Sequence, residues 1–185
     1  MGCRPSSVRD LAILPEFETE RLSLRRLTLE DAPFVAALYN EPSFLENIGD
    51  RGVRNAADAQ RFLREGPIAM YERLGFGLWH VSRRADGAGI GMCGLLKRDN
   101  LPDVDIGYAY FPAYWGQGYA LEAVAGTLRH ALRKFGLRRV LGVVSRGNDA
   151  SIRVLEKAGM RFDRMQAMDP AEPEVCLYAI ELSGA

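Results

Sequence analysis

The chain is short of the residues that build metal centres and disulfide frameworks. Its 185 residues hold three cysteines, Cys3, Cys93 and Cys176, and two histidines, His80 and His130. The cysteines are odd in number and far apart, and no zinc spacing exists, so no metal site is expected. A reduced, cytoplasmic protein is the simplest reading, with Cys93 and Cys176 as inert residues of apolar segments. An excess of one charge is also missing, since Lys+Arg and Asp+Glu number 24 each. Nothing therefore points to nucleic acid or an anionic membrane as the main partner. No apolar run approaches the roughly 18 residues of a membrane span, and Met1 to Asp10 lacks the apolar run of a signal peptide. What is there is a hydrophobic content of 48%, enough for a sizeable core in one domain.

Two nucleotide motifs are absent as well, and their absence sharpens what remains. The stretch Tyr114-Trp115-Gly116-Gln117-Gly118-Tyr119-Ala120 lies between a strand-like run, Val104 to Phe111, and an amphipathic helix, Ala120 to Phe135. A glycine-rich turn between strand and helix builds an anion site. Glycines let backbone approach a phosphate, and the helix N-terminus offers N–H groups and partial positive charge. A P-loop would need Lys-Ser/Thr after the last glycine, where Tyr119-Ala120 stands, and a dinucleotide fingerprint would need a glycine at Leu121. Upstream, Gly89-Ile90-Gly91-Met92-Cys93-Gly94 spells GxGxxG but opens no helix, and reads as the start of a strand after the Asp86-Gly87 turn.

Periodicity gives the order β-α-α-β-β-β-α-β-α-β in one mixed α/β layer, not a doubly wound sheet. Residues 1–18, with Pro5 and Pro15, read as an N-terminal extension, and 19–185 as a single domain. Arg21 to Leu27 alternates as a strand. Thr28 and Asp31 then form a weak capping box for a helix ending near Asn40. Glu41 to Asn55 reads as a loop, and Ala56 to Leu74 as a helix bent around Gly66-Pro67. Gly77 to Ser82 and Ile90 to Lys97 read as a hairpin, with Val104 to Phe111 as the third strand of that group. Gly136 stops the long helix. Arg139 to Val144 is a short buried strand, Asn148 to Ala158 a helix, and Val175 to Leu182 the last strand, with a further strand possible near Arg161 to Met165.

This order, with its central strand, Gly-rich turn and helix, resembles the GNAT superfamily of acyl-CoA N-acyltransferases from about Thr19 to Leu182. The family motif Gln/Arg-x-x-Gly-x-Gly/Ala is matched by Trp115-Gly116-Gln117-Gly118-Tyr119-Ala120, with Trp in the Gln/Arg place, a departure typical of one branch. Asp103-Val104-Asp105-Ile106-Gly107-Tyr108, the turn itself, Asn148-x-x-Ser151-x-x-x-Leu155-x-Lys157-x-Gly159 and the opening Thr19-Glu20-Arg21-Leu22-x-Leu24-Arg25 look like the ribosomal-protein N-terminal acetyltransferase (RimJ/RimL-like) branch. The resemblance implies a mixed central sheet of about six to seven strands flanked by about four helices. It implies acetyl-CoA as acyl donor, bound by Tyr108, Ala109, Tyr110, Phe111, Trp115, Gly116, Gln117, Gly118, Tyr119, Ala120, Asn148 and Ser151.

The implied reaction is attack of a primary amine on the acetyl thioester. It requires a neutral amine, stabilisation of developing oxygen charge and a proton for the leaving thiolate. In the family the strand equivalent to 104–111 splays from that at 139–144, which makes the backbone N–H near Tyr110 the oxyanion donor. The side chains of Tyr108 and Tyr110 read equally well as ordinary strand aromatics. Many relatives protonate the thiolate with a Tyr where this chain has Leu155, and Ser151 is the branch-consistent substitute. Asn148 and Ser151 also suit plain helix capping. Asp105 occupies the place of a strand glutamate and is the candidate base, acting through water. Asp103, Asp169, Glu172 and Glu174 are alternatives, each also readable as a surface charge. His80 reads first as a structural strand histidine, Glu122 is expected to face solvent, and Arg146 reads either as a phosphate partner or as a loop residue.

The leading expectation is an acetyl-CoA-dependent N-acetyltransferase, monomeric or homodimeric. Its acceptor would be a protein N-terminus or a small amine such as an amino acid analogue or an antibiotic. The competing one is a non-catalytic acyl-CoA-binding sensor or scaffold of the same fold, for which the missing Tyr and Gln/Arg leave room.

Overall fold

The computed structural model describes residues 14–171 and 173–183, so Cys3 and Glu172 lie outside the described residues. Eight strands form one sheet in the order β1-β2-β3-β4-β5-β6-β8-β7. They are β1 (Pro15–Glu18), β2 (Leu22–Arg26), β3 (Leu78–Arg83), β4 (Gly89–Leu96), β5 (Asp105–Tyr110), β6 (Arg139–Val144), β7 (Arg161–Gln166) and β8 (Val175–Glu181). Every pairing is antiparallel except β5 with β6. The strand read as possible near Arg161 is β7. The end of the segment read as an extension is β1, which pairs with β2 through Phe17↔Leu24 and Glu18↔Ser23.

Local chemistry accounts for the helices. The Thr28 N–H donates to Asp31 (2.8 Å) and the Thr28 hydroxyl accepts from the Glu30 N–H, so the predicted box opens a short 3-10 turn at Leu29–Asp31. Helix α1 (Ala32–Tyr39) follows. The loop expected over 41–55 contains a short helix, α2 (Pro42–Asn47), because Pro42 at its first position loses no hydrogen bond there. Helices α3 (Ala56–Leu63) and α4 (Ala69–Leu74) are joined by a wide π-turn over Arg64–Ile68. That turn accommodates Pro67, which has no N–H to give a regular helix. The long helix α5 (Tyr119–Phe135) ends at Gly136 with φ of 63°. The last is α6 (Asp149–Lys157).

Helices α5 and α6 cover one face of the sheet, and α1 and α3 the other. Ala123, Val124, Leu128 and Ala131 of α5 and Leu155 of α6 join Trp79, Val81, Cys93 and Ile106 in the larger core. Val35, Leu38, Ala59 and Leu63 pack with Leu78 and Met92 on the opposite face. The GxGxxG look-alike is β4, as expected, and its glycines have a packing reason. A Cβ on Gly91 would lie 2.3 Å from the Ala109 carbonyl oxygen, and one on Gly94 would lie 2.1 Å from that of Gly77. These residues are small so that neighbouring strands can close, not to admit a phosphate.

Candidate active site

The sheet opens in its middle. Strands β5 and β6 pair only through Asp105↔Leu141 and Ile106↔Gly142. Alternation on β5 then decides which backbone groups face the opening. The Phe111 N–H donates to the Ile90 carbonyl at 3.0 Å, so the odd-numbered residues of β5 bond to β4 and the even-numbered ones turn toward β6. Past Ile106 those are Tyr108 and Tyr110. The Tyr110 carbonyl accepts from Trp115 Nε1 at 2.9 Å, which leaves its N–H directed at the gap. The Tyr110 ring is buried under α5, 7% exposed, so its side chain belongs to the core. Ala109 and Phe111 point to the other face, where Phe111 meets Phe34 edge-on at 5.6 Å.

Directly after β5 the chain makes the Gly-rich turn. Gly116 (φ 73°) and Gly118 (φ 80°) are both left-handed, a conformation L side chains rarely adopt. Gly118 is the N-cap of α5, which has no side-chain cap. The first helical bond runs from the Glu122 N–H to the Gly118 carbonyl. The N–H groups of Tyr119, Ala120 and Leu121 are thus the orphan donors of the helix start.

Glu122 does not face solvent as expected. Its carboxylate accepts from the Thr19 hydroxyl (2.6 Å), the Arg21 backbone N–H (2.7 Å) and Arg21 Nε (2.6 Å). Arg21 Nη1 also donates to the Gln117 carbonyl (2.9 Å), and its guanidinium lies over the Tyr119 ring. The Arg21 cation neutralises Glu122 and draws its negative charge away from the uncapped start of α5. Thr19 and Arg21 stand in the opening motif noted above, but nothing in that motif signals a clamp on a turn a hundred residues away.

Across the gap from β5 stands the start of α6. Asn148 is its N-cap and its side chain accepts from the Ser151 N–H (3.1 Å), so the capping role is realised. Ser151 Oγ and the Tyr108 hydroxyl are 2.6 Å apart, and burial raises the Tyr108 pKa. Leu155 is 1% exposed and sits in the core.

A family model described as an acetyltransferase (GNAT) domain matches residues 21–161. The chain belongs to this family. It is an acetyltransferase, and it shares 27% identity over 150 residues with the uncharacterized N-acetyltransferase YoaA of Bacillus subtilis, covering 80% of this chain and 84% of that protein. An acetyltransferase structure from Agrobacterium tumefaciens superposes with a TM-score of 0.75 at 23% identity, covering 98% and 100% of the two chains. RimL, a ribosomal L7/L12 α-N-protein acetyltransferase solved with coenzyme A, superposes at 0.76 and 18% identity, covering 89% and 96%. Likeness at such identities shows the fold.

The acid–base candidates of the acetyltransferase are scattered. Asp105 is fully buried, and both its oxygens accept from Arg98 Nε at 3.1 and 3.2 Å. Burial raises its pKa against the lowering pull of Arg98. Asp103 pairs with Arg139 (3.3 Å), away from the gap. Asp169 and Glu174 are exposed, and Asp169 accepts from the Ala171 N–H within its own turn. His80 is a core residue against Phe34, 4.4 Å between ring centroids. Burial lowers its pKa to about 4, so it is neutral. Arg146 is exposed on the loop after β6. Beside that loop, the Ser145 hydroxyl donates to the Asn47 carbonyl (3.2 Å) and ties the end of β6 to α2.

Proposed function

We propose that the chain is an acetyl-CoA-dependent N-acetyltransferase of the RimJ/RimL-like branch, moving an acetyl group to a primary amine by direct attack in a ternary complex. The observation that carries this is the placement of a left-handed Gly-rich turn and an uncapped helix start beside a parted pair of strands. Phosphates fit the orphan N–H groups of Tyr119, Ala120 and Leu121, and an extended arm fits the unpaired edge at Tyr108 and Tyr110. The family's donor supplies the acetyl group as a thioester. Toward it, the Tyr110 N–H donates to the carbonyl oxygen as negative charge develops, and Ser151 donates a hydrogen bond to the departing sulfur. Asp105 is the base in this reading, acting through water. Its raised pKa supports that role, and the cation bonded to it, Arg98, has a third of its side chain exposed.

Amines are the acceptor class, either protein N-termini or small molecules. The segment 41–55 and the chain before β8 border the acceptor side in this fold. A reduced, cytoplasmic setting goes with the unpaired thiols of Cys93 and Cys176. Among the described residues no helix is long and apolar enough to cross a membrane.

One observation favours the sensor reading. Leu155 is buried where many relatives carry their acid, which leaves the departing sulfur with only the weaker Ser151 hydroxyl. Acetyl-CoA titration by calorimetry, followed by free-thiol release against a panel of peptides and small amines, separates the two. Acceptor-dependent release is expected. Binding without release for any acceptor favours the sensor, and no binding removes the phosphate assignment of the turn.

A further inference from the structure

The most informative juxtaposition is a pair of hydroxyls 43 positions apart in sequence. Tyr108 reaches from β5 across the mouth of the gap to Ser151 on the first turn of α6. The two oxygens are 2.6 Å apart, and the Tyr108 hydroxyl also lies 3.2 Å from the Ser151 carbonyl. Neither element needs the other for this arrangement. Strand alternation sends Tyr108 to the α6 face, and Asn148 holds the Ser151 backbone by capping the helix.

We infer that Tyr108 is a positioning residue that orients the Ser151 hydroxyl and strengthens it as a donor to the leaving sulfur, in place of the tyrosine that Leu155 replaces. This rests on the acetyltransfer reading above. A serine hydroxyl alone rotates freely and is a weak donor. Either hydroxyl can donate at this distance, and the Ser151 carbonyl can only accept from Tyr108. In the proposed arrangement the Tyr108 O–H donates to Ser151 Oγ, which leaves the serine proton to point at the sulfur while hydrogen bonds in a chain polarise one another. The amine nitrogen bonds to the carbonyl carbon, the C–S bond breaks, and its electron pair goes to sulfur. One N–H proton leaves the amine through water to the base, and the thiolate, hydrogen-bonded by Ser151 as it departs, takes its proton from solvent. Both hydroxyls are protonated before and after, consistent with burial that keeps the phenol from ionising. The pair is a donor relay and not a proton source.

A merely structural tie between β5 and α6 makes different predictions, so the test is a double-mutant cycle. Wild type, Tyr108→Phe, Ser151→Ala and the double variant are compared by acetyl-CoA affinity in calorimetry, kcat and KM from thiol release, and Tm. For Tyr108→Phe we expect kcat to fall about tenfold, with acetyl-CoA affinity within about twofold of wild type. The double variant should be no slower than Ser151→Ala. Wild-type kcat in Tyr108→Phe, additive losses in the double variant, or a change confined to affinity would each overturn the inference. Tighter binding at unchanged kcat would show that the pair closes the cleft instead. If Tyr108→Phe does not fold, site-specific 3-fluorotyrosine at 108 keeps the ring while making the phenol a stronger donor. The expectation is then retained or raised kcat, and a fall refutes the relay. A wild-type protein that neither binds acetyl-CoA nor releases thiol refutes the parent reading, whereas an active wild type with an unaffected Tyr108→Phe refutes this inference alone.

Discussion

Glu16 offers a quantitative test of whether the first strand is an integral part of the domain. It lies on β1 with its side chain 8% exposed, and His130 Nε2 (3.4 Å), Arg26 Nε (3.3 Å) and the Lys134 ammonium converge on its carboxylate. The hydrogen bond from His130, with those of Lys134 and the Arg26 charge, outweighs burial and lowers the Glu16 pKa from 4.5 to about 2. That drop is worth about 2–3 kcal/mol of native-state stability at neutral pH, the lower figure allowing for solvent screening of the partly exposed Lys134 and Arg26. The native pKa is below the unfolded one. The contribution is therefore complete above about pH 5 and is lost as pH falls toward 2. Urea unfolding of wild type and Glu16→Gln from pH 7 down to 2.5 reads this directly. At pH 7 the variant should be less stable by about 2–3 kcal/mol, a Tm loss of about 4–12 °C, and the difference should shrink steadily with acid. A difference near zero at pH 7, or one that does not change with pH, refutes the argument and makes β1 peripheral.

Three further outcomes are expected. Gly118→Val places a β-branched residue at φ 80°, with its Cβ 3.4 Å from Arg21 Nη2; acetyl-CoA affinity by calorimetry should weaken at least tenfold, and unchanged affinity would remove the turn from the phosphate site. Glu122→Ala strips the acceptor from Thr19 and Arg21 and should cost about 2 kcal/mol in urea unfolding; a loss below about 0.5 kcal/mol would mean that the clamp holds nothing. Asp105→Asn should lower kcat/KM at least a hundredfold and abolish an acidic limb whose midpoint in wild type lies above the ordinary Asp value. An unaltered pH–rate profile, with stability lowered by about 3 kcal/mol, would make the Asp105–Arg98 pair a strut.

The regular elements were legible because their signals are local. Apolar spacing, Gly136 and Gly159 as stops, and the Thr28–Asp31 box each act within one or two turns. Two short elements were not. Pro15–Glu18 is too brief to show alternation and becomes a strand only because β2 offers it an edge and α5 offers Glu16 the partners Lys134 and His130. The helix after Pro42 has no apolar face of its own beyond Phe44. At the site, the turn and the capping Asn148 could be read from spacing. Two contacts that give the site its character could not, because each is a meeting of distant segments: Arg21 with Glu122 and Tyr108 with Ser151. The inward turn of Glu122 is hidden from the sequence for the same reason. A carboxylate at a helix start reads as solvated until the arginine that neutralises it is found. Arg98 with Asp105 spans seven positions, but across an irregular connection between β4 and β5 whose path the sequence spacing does not fix.

The indole of Trp115 is half exposed, yet its Nε1–H is spent on the Tyr110 carbonyl. One hydrogen bond thus fastens the Gly-rich turn to the end of β5, so the turn and the unpaired edge of that strand keep a set separation. In the proposed reading of the site, the cleft works as a gauge. A donor must carry its phosphates and its thioester at matching intervals for both ends to seat together. A short thioester lacking the nucleotide forfeits more than contacts, because nothing then aligns its acetyl group with the Tyr110 N–H, and the deficit falls on kcat as well as on KM.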